Sequence, residues 1–257
     1  MNIALIGFGK MGQEIANLSN DHQIRIIVDP DQTDNLSEKA NELSATLCNS
    51  IEEADFEEID VAIEFTHPSV CLDNIKALAE KGVNIVVGTT GWYDHMEEVQ
   101  KIAKKSGIGL LWASNFSIGV HLFWRIVTRG AEVMNSFEEY DAFGHEFHHN
   151  QKADSPSGTA RTTAEILVNN LDRKDTIATE TMDRKIKPNE LHFTSTRGGN
   201  INGTHQVLFD SPADTIEIKH TARNRSGFAS GALKCAEWLK GRTGFFSIED
   251  YLKDLHL

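Results

Sequence analysis

A glycine-rich turn at the start of the chain constrains the fold more than any other stretch. Asn2-Ile-Ala-Leu-Ile6 is a short apolar run of strand character, and it leads directly into Gly7-Phe8-Gly9-Lys10-Met11-Gly12. Ile15, Ala16 and Leu18 then recur at helical spacing. A second β-rich run, Gln23-Ile-Arg-Ile-Ile-Val28, ends in Asp29, 17 residues past the last glycine. Each part has a physical reason in a nucleotide-binding βαβ unit. Gly7 permits the tight turn, Gly9 lets a pyrophosphate approach the backbone, and Gly12 lets helix and strand close together. Asp29 stands where a carboxylate would accept the ribose hydroxyls of an adenosine. A lone glycine fingerprint means little, but one set between strand and helix with the acid in place predicts dinucleotide binding.

The alternation continues to about residue 115. Residues 60–65 have buried-strand character, and Pro68 opens a helix carrying Val70, Leu72, Ile75, Leu78 and Ala79 on one face, ended by Gly82. Residues 83–87 read as the next strand, 94–106 as a helix (Met96, Val99, Ile102, Ala103) and 108–112 as a fifth strand. This rhythm predicts an α/β domain, a Rossmann-type doubly wound parallel sheet. From about residue 118 the pattern changes. A long helix to about Met134 precedes a strand over 140–147, a polar loop and a helix to Leu171. Residues 172–189 are charged and read as an exposed excursion. Three β-like runs, 191–196, 204–209 and 215–219, then predict a second, α+β domain with a mostly antiparallel sheet. Helices are expected over 228–239 and 248–255.

The polar loop carries the chemistry. Glu146-Phe-His-His-Asn-Gln-Lys-Ala-Asp-Ser-Pro-Ser-Gly-Thr-Ala160 gathers two imidazoles, an amine and a fresh helix N-terminus. His148 and His149 exchange protons near neutral pH, and Lys152 supplies a cation. Ser157, Gly158 and Thr159 follow Pro156 and open an amphipathic run, so their N–H groups suit a carboxylate or phosphate. The overlapping His145-Glu-x-x-His149 pattern matches a zinc hydrolase motif, which needs a helix. On a strand those histidines stand about 13 Å apart at roughly 3.3 Å per residue, so no metal is expected. Glu146 and Asp154 read as orienting or capping residues, and His67 and His205 as structural.

That loop resembles the signature of the 4-hydroxy-tetrahydrodipicolinate reductase (dihydrodipicolinate reductase) family. Gly88-Thr-Thr-Gly-Trp92, Asn115-Phe-Ser-Ile-Gly-Val120, Gly203-Thr-His205, His220-Thr-Ala-Arg-Asn-Arg225 and Phe228-Ala-x-Gly231 match it in family order over nearly the whole chain. The resemblance implies reduction of a cyclic imine dicarboxylate by NAD(P)H in the diaminopimelate route to lysine. It makes His148 and Lys152 the proton donors and assigns His149, with Ser157, Gly158 and Thr159, to the substrate carboxylates. Gly7 to Gly12 and Asp29 then bind cofactor. Gly88, Thr89 and Thr90 lie against the nicotinamide ribose, with Thr90 also near substrate, and Ala113, Ser114, Asn115 and Phe116 form the other nicotinamide-side loop. The family's C-terminal segment returns to the nucleotide domain. This gives residues 1–117 with 227–257 as that domain and 118–226 as the substrate-binding and oligomerisation domain. A homotetramer is implied.

Two departures from the family pattern bear on cofactor choice. The glycine loop is one residue shorter than in many members, and Pro30 stands after Asp29 where many carry an arginine for an NADP 2′-phosphate. NADH is therefore favoured, while Lys10 keeps NADPH open. Composition agrees with this picture. At 257 residues and 40% hydrophobic content the chain can bury a sizeable core. The net charge of −13 disfavours nucleic acid as a partner, and it gives weight to the local cations Lys10, Lys152, Arg223 and Arg225. No apolar run approaches the roughly 20 residues that span a bilayer. Cys48, Cys71 and Cys235 are odd in number and far apart, which suits reduced thiols and a cytoplasmic protein. Two rivals remain open: another two-domain dehydrogenase, and a non-catalytic dinucleotide sensor.

Overall fold

The computed structural model describes residues 1–256 and divides into two compact units, Met1–Ser117 joined by the segment from Ser226 onward, and Ile118–Arg225. In the first unit, β1 (Asn2–Ile6) passes through the glycine turn into α1 (Lys10–Leu18) and on to β2 (Gln23–Val28), parallel to β1. Next come α2 (Asp34–Leu43) and β3 (Thr46–Cys48), which the sequence reading lacked. The reason is visible in α2, which buries only Leu36 and Ala40 and therefore has almost no apolar stripe. β4 (Val61–Glu64), α3 (Pro68–Glu80), β5 (Asn84–Val87), α4 (Met96–Ser106) and β6 (Gly109–Trp112) follow the expected order. These strands are apolar on both faces because helices cover both sides of the sheet. Ile75 and Leu78 of α3 are fully buried against it, each worth about 1.5–3 kcal/mol of hydrophobic burial.

The second unit starts with α5 (Ile118–Met134), β7 (Asp141–His148) and α6 (Gly158–Asn170), then β8 (Thr176–Ala178), β9 (Glu190–Arg197), β10 (Thr204–Asp210) and β11 (Thr215–Thr221). Its five strands run in the order β11-β10-β7-β9-β8. The sheet is mixed: β11–β10 and β10–β7 are antiparallel, whereas β7–β9 and β9–β8 are parallel. Sequential strands with short connections suggest hairpins, but β7 inserts between β9 and β10 and breaks that pattern. Gly144 makes the β7–β9 contact feasible, since a Cβ there would meet the Phe193 ring at 2.3 Å. Phe123, Val127 and Ala131 of α5 and Ala160, Ala164 and Leu167 of α6 pack with Phe193, Val207 and Phe209 of the sheet.

The expected excursion over 172–189 is pinned down rather than loose. Lys174 is 4% exposed and bonds Asp141 at 2.6 Å and the Pro188 and Glu190 carbonyls at 3.0 and 2.9 Å. Arg184 grips Glu190 with two bonds of 2.8 Å. These anchors are polar, so apolar periodicity gives no sign of them.

The chain then returns to the first unit as α7 (Ser226–Leu239), β12 (Gly244–Ser247) and α8 (Ile248–Asp254). β12 adds in parallel beside β6 and completes a seven-stranded sheet, β12-β6-β5-β4-β1-β2-β3. The strand order reverses between β4 and β2 on either side of β1, which opens a ligand crevice at the carboxyl ends of the strands. No helix among the described residues is long and apolar enough to cross a membrane.

Candidate active site

The glycine turn sits at that reversal. Gly7 adopts φ +87°, and a Cβ on it would stand 2.3 Å from the Phe65 carbonyl oxygen. A Cβ on Gly12 would meet the Gly7 carbonyl at 2.4 Å, so helix and strand do close on this residue. Gly9 is different. A Cβ there would touch nothing within 4 Å, and Gly9 caps α1 without a side-chain bond. This is the open approach to helix N–H groups that a pyrophosphate needs. Asp29 accepts the Phe8 amide at 2.7 Å and so is fixed beside the loop. Phe8, Gly9, Asp29, Asp31 and Lys39 help line a cavity of about 390 Å³. The residues present fit the adenosine half of a dinucleotide.

The two loops expected near the nicotinamide follow β5 and β6. Thr89 is buried and its hydroxyl accepts the Thr66 amide at 2.7 Å, so this side chain ties two strand ends together. Thr90 is the exposed member of the pair. Ala113 and Phe116 are buried, Ser114 is exposed, and Asn115 accepts the Ser117 amide at 2.8 Å. Lys10 and Met11 open α1, with Lys10 exposed.

In the second unit, His145 to His148 lie on β7, so the zinc-motif stretch is a strand and not the helix that motif requires. His145 bonds Thr194 at 2.5 Å and Thr196 at 3.1 Å. His148 is 8% exposed and packs beside His205, their rings 5.3 Å apart. Between them is Glu146, with no exposure at all. It accepts the Ser157 amide at 2.8 Å, the Ser157 hydroxyl at 2.5 Å, the Ser195 hydroxyl at 2.8 Å and the Arg197 guanidinium at 2.9 Å. Burial alone would raise its pKa. Contacts from His148, His205 and Ser157 outweigh burial and hold the carboxyl far below the ordinary range. Lys152 pairs with Asp154 at 2.7 Å, and this ammonium keeps Asp154 ionised despite partial burial.

Ser157 is the N-cap of α6, accepting the Ala160 amide at 3.1 Å. Its own amide and hydroxyl are already given to Glu146, which corrects the expectation that Ser157 offers an amide to a ligand carboxylate. Gly158 and Thr159 supply the next N–H groups of the first turn, and both have surface access. His149 is half-buried and its Nδ1 accepts the Gln151 amide at 3.2 Å. Arg223 and Arg225 are exposed.

Comparison with known proteins now decides the family. The model for dihydrodipicolinate reductase, N-terminus, matches residues 1–116, and that for its C-terminus matches residues 119–252. The chain belongs to the dihydrodipicolinate reductase family. It is 39% identical to a 4-hydroxy-tetrahydrodipicolinate reductase of Christiangramia forsetii, covering 99% of each chain. It is 37% identical to one of Chromobacterium violaceum, over 75% of this chain and 73% of that one. A solved dipicolinate-bound dihydrodipicolinate reductase from Paenisporosarcina sp. TG-14 shares the fold at TM-score 0.75 and 22% identity, covering 97% of this chain and 98% of that one. A scyllo-inositol dehydrogenase from Lactobacillus casei with bound NAD(H) aligns less closely, at TM-score 0.55 and 11% identity over 93% of this chain and 87% of that one. The family resemblance read from the loop therefore stands.

Within this dihydrodipicolinate reductase fold, three residues at the centre of the site escaped the sequence reading. From sequence alone His205 reads as structural, and nothing local marks Ser195 or Arg197 as site residues. The available signal was parity: His205 on β10 and Ser195 on β9 are the register partners of Glu146, but only a known strand pairing reveals that.

Proposed function

We propose that this chain reduces 4-hydroxy-tetrahydrodipicolinate to tetrahydrodipicolinate in the diaminopimelate route to lysine, using NAD(P)H. The observation that supports this reading best is the His148–Lys152 loop. It joins an imidazole seated on a buried carboxylate to an ammonium and the accessible first turn of α6, in a chain whose relatives carry this reductase name. The balance is simple: substrate, NAD(P)H and a proton become product, NAD(P)⁺ and water. When bound, the dinucleotide supplies the hydride. His148 and Lys152 supply protons where negative charge develops on the ring. His149, Lys152 and the Gly158 and Thr159 amides hold the two carboxylates. Thr90, Ser114 and Asn115 orient the reduced ring of the cofactor, while Thr89 and Phe116 support their loops.

NADH is the favoured cofactor. Asp29 and Asp31 both line the adenosine cavity and repel a 2′-phosphate. Lys39 also lines it but is paired with Glu42 at 2.8 Å. Lys10 allows some use of NADPH. The working protein is a cytoplasmic homotetramer acting on a small dicarboxylate, with neither nucleic acid nor membrane as partner. A coupled assay with the upstream synthase, following NADH and NADPH separately, tests the reading. NADH oxidation that depends on the synthase product supports it. Oxidation of neither cofactor overturns it.

A further inference from the structure

Glu146 is reached from every side by strand register. On β7 it shares a face with His148 two residues on. On β10, His205 is its direct partner, and on β9 Ser195 is its partner, with Arg197 beyond. The two carboxylate oxygens have different company. Oε1 accepts the Ser157 amide, the Ser195 hydroxyl and the Arg197 guanidinium, all within 2.9 Å. Oε2 accepts the Ser157 hydroxyl and faces Nε2 of His148 at 3.4 Å and Nε2 of His205 at 3.3 Å. One oxygen is anchored; the other meets two imidazoles. Gly203 closes the opposite side, since a Cβ there would stand 2.8 Å from His148 Cε1.

We propose that Glu146 is the positioning residue of the proton donor: through Oε2 it orients the His148 imidazole. This rests on the reading of His148 as a donor. His205 competes for the same oxygen. The other titratable groups nearby are His149, with its ring 6.4 Å from that of His148, His145 on β7, His220 opposite His205 on β11, and the Lys152–Asp154 pair. The imidazoles carry no negative charge, and Asp154 is neutralised by its lysine, so Glu146 supplies the field that His148 feels.

Glu146→Gln keeps the shape and removes the charge. The kcat for the imine substrate should fall by about 10–10³-fold, less than or overlapping the roughly 10²–10⁴-fold expected when a general acid is removed outright. KM and NADH affinity should change little. Glu146→Asp retains charge but withdraws it by one methylene; it should fall between, and it serves if the glutamine variant does not fold. In a His148→Gln background, Glu146→Gln should cause no further loss in kcat. An unchanged kcat in Glu146→Gln, or a full second loss in the His148→Gln background, overturns the positioning role alone. A His148→Gln enzyme with normal turnover overturns the donor reading, and the proposal with it.

Discussion

At Gly203, φ is +157°, and any Cβ would press on the His148 ring. Gly203→Ala is therefore expected to combine backbone strain of about 1–3 kcal/mol with displacement of that ring. Chemical denaturation should show the lost stability, and kcat should fall at least tenfold while NADH binding stays normal. At His148 and Lys152 themselves, replacement by Ala should lower kcat by roughly 10²–10⁴-fold. Lys152→Ala should also raise KM, since the ammonium serves a carboxylate as well. His149→Ala should do the reverse, raising KM with a smaller loss in kcat. Near-normal turnover in the first two variants would show the chemistry to be misplaced. Glu146 makes a second, pH-dependent expectation. Its folded pKa lies below the ordinary 4.5, so its stabilising contacts are complete above that pH and fade as pH falls below it. Urea midpoints of the native chain and Glu146→Gln should be well separated at neutral pH, and the gap should narrow progressively as pH falls below about 4.5. A constant gap would mean that the carboxylate charge contributes nothing.

Elements decide which chemistries the same side chains can support. Because His145 to His148 lie on β7, the hydrolase pattern is extended rather than helical. At roughly 3.3 Å per residue His145 and His149 stand about 13 Å apart, too far to share a zinc ion. Glu146, His148 and His205 do bring ligand atoms within 4.8 Å of one another, but Arg197 and two serines already occupy the carboxylate. Activity should survive EDTA; stoichiometric zinc whose removal abolishes turnover would contradict this. The first turn of α6 carries a different test. Pyridine-2,6-dicarboxylate should inhibit competitively with the imine. Thr159→Pro deletes an amide at a position where a helix tolerates proline, and should weaken that inhibition. An unchanged inhibition constant would place the anion elsewhere. Sequence periodicity served well for elements with a buried stripe, such as α3 and β4, and for the strand–glycine–helix entry. It failed for α2, which is nearly all polar, and for β12, whose four residues are only half-buried.

For the whole molecule, the sheet order depends on pairings remote in sequence. β12 joins β6 across more than a hundred residues, and β7 separates β9 from β10. Nothing local in those segments records such neighbours. The same non-locality explains why the candidate site was only half legible. His148, His149, Lys152 and Thr159 lie in one continuous stretch, whereas His205, Ser195 and Arg197 come to Glu146 from two other strands. Net charge also acts at this scale: with −13 overall, an anionic cofactor and an anionic substrate depend on local cations, so KM for both should vary with ionic strength. Tracing the hydride tests the central claim most directly. Purified protein is supplied with NADH deuterated at its transferable position and with imine made by the upstream synthase, and the product is read by mass spectrometry. One deuterium should appear on a ring carbon of tetrahydrodipicolinate as NADH is consumed. NADH consumption without deuterium in that product, or no consumption at all, would contradict the assignment.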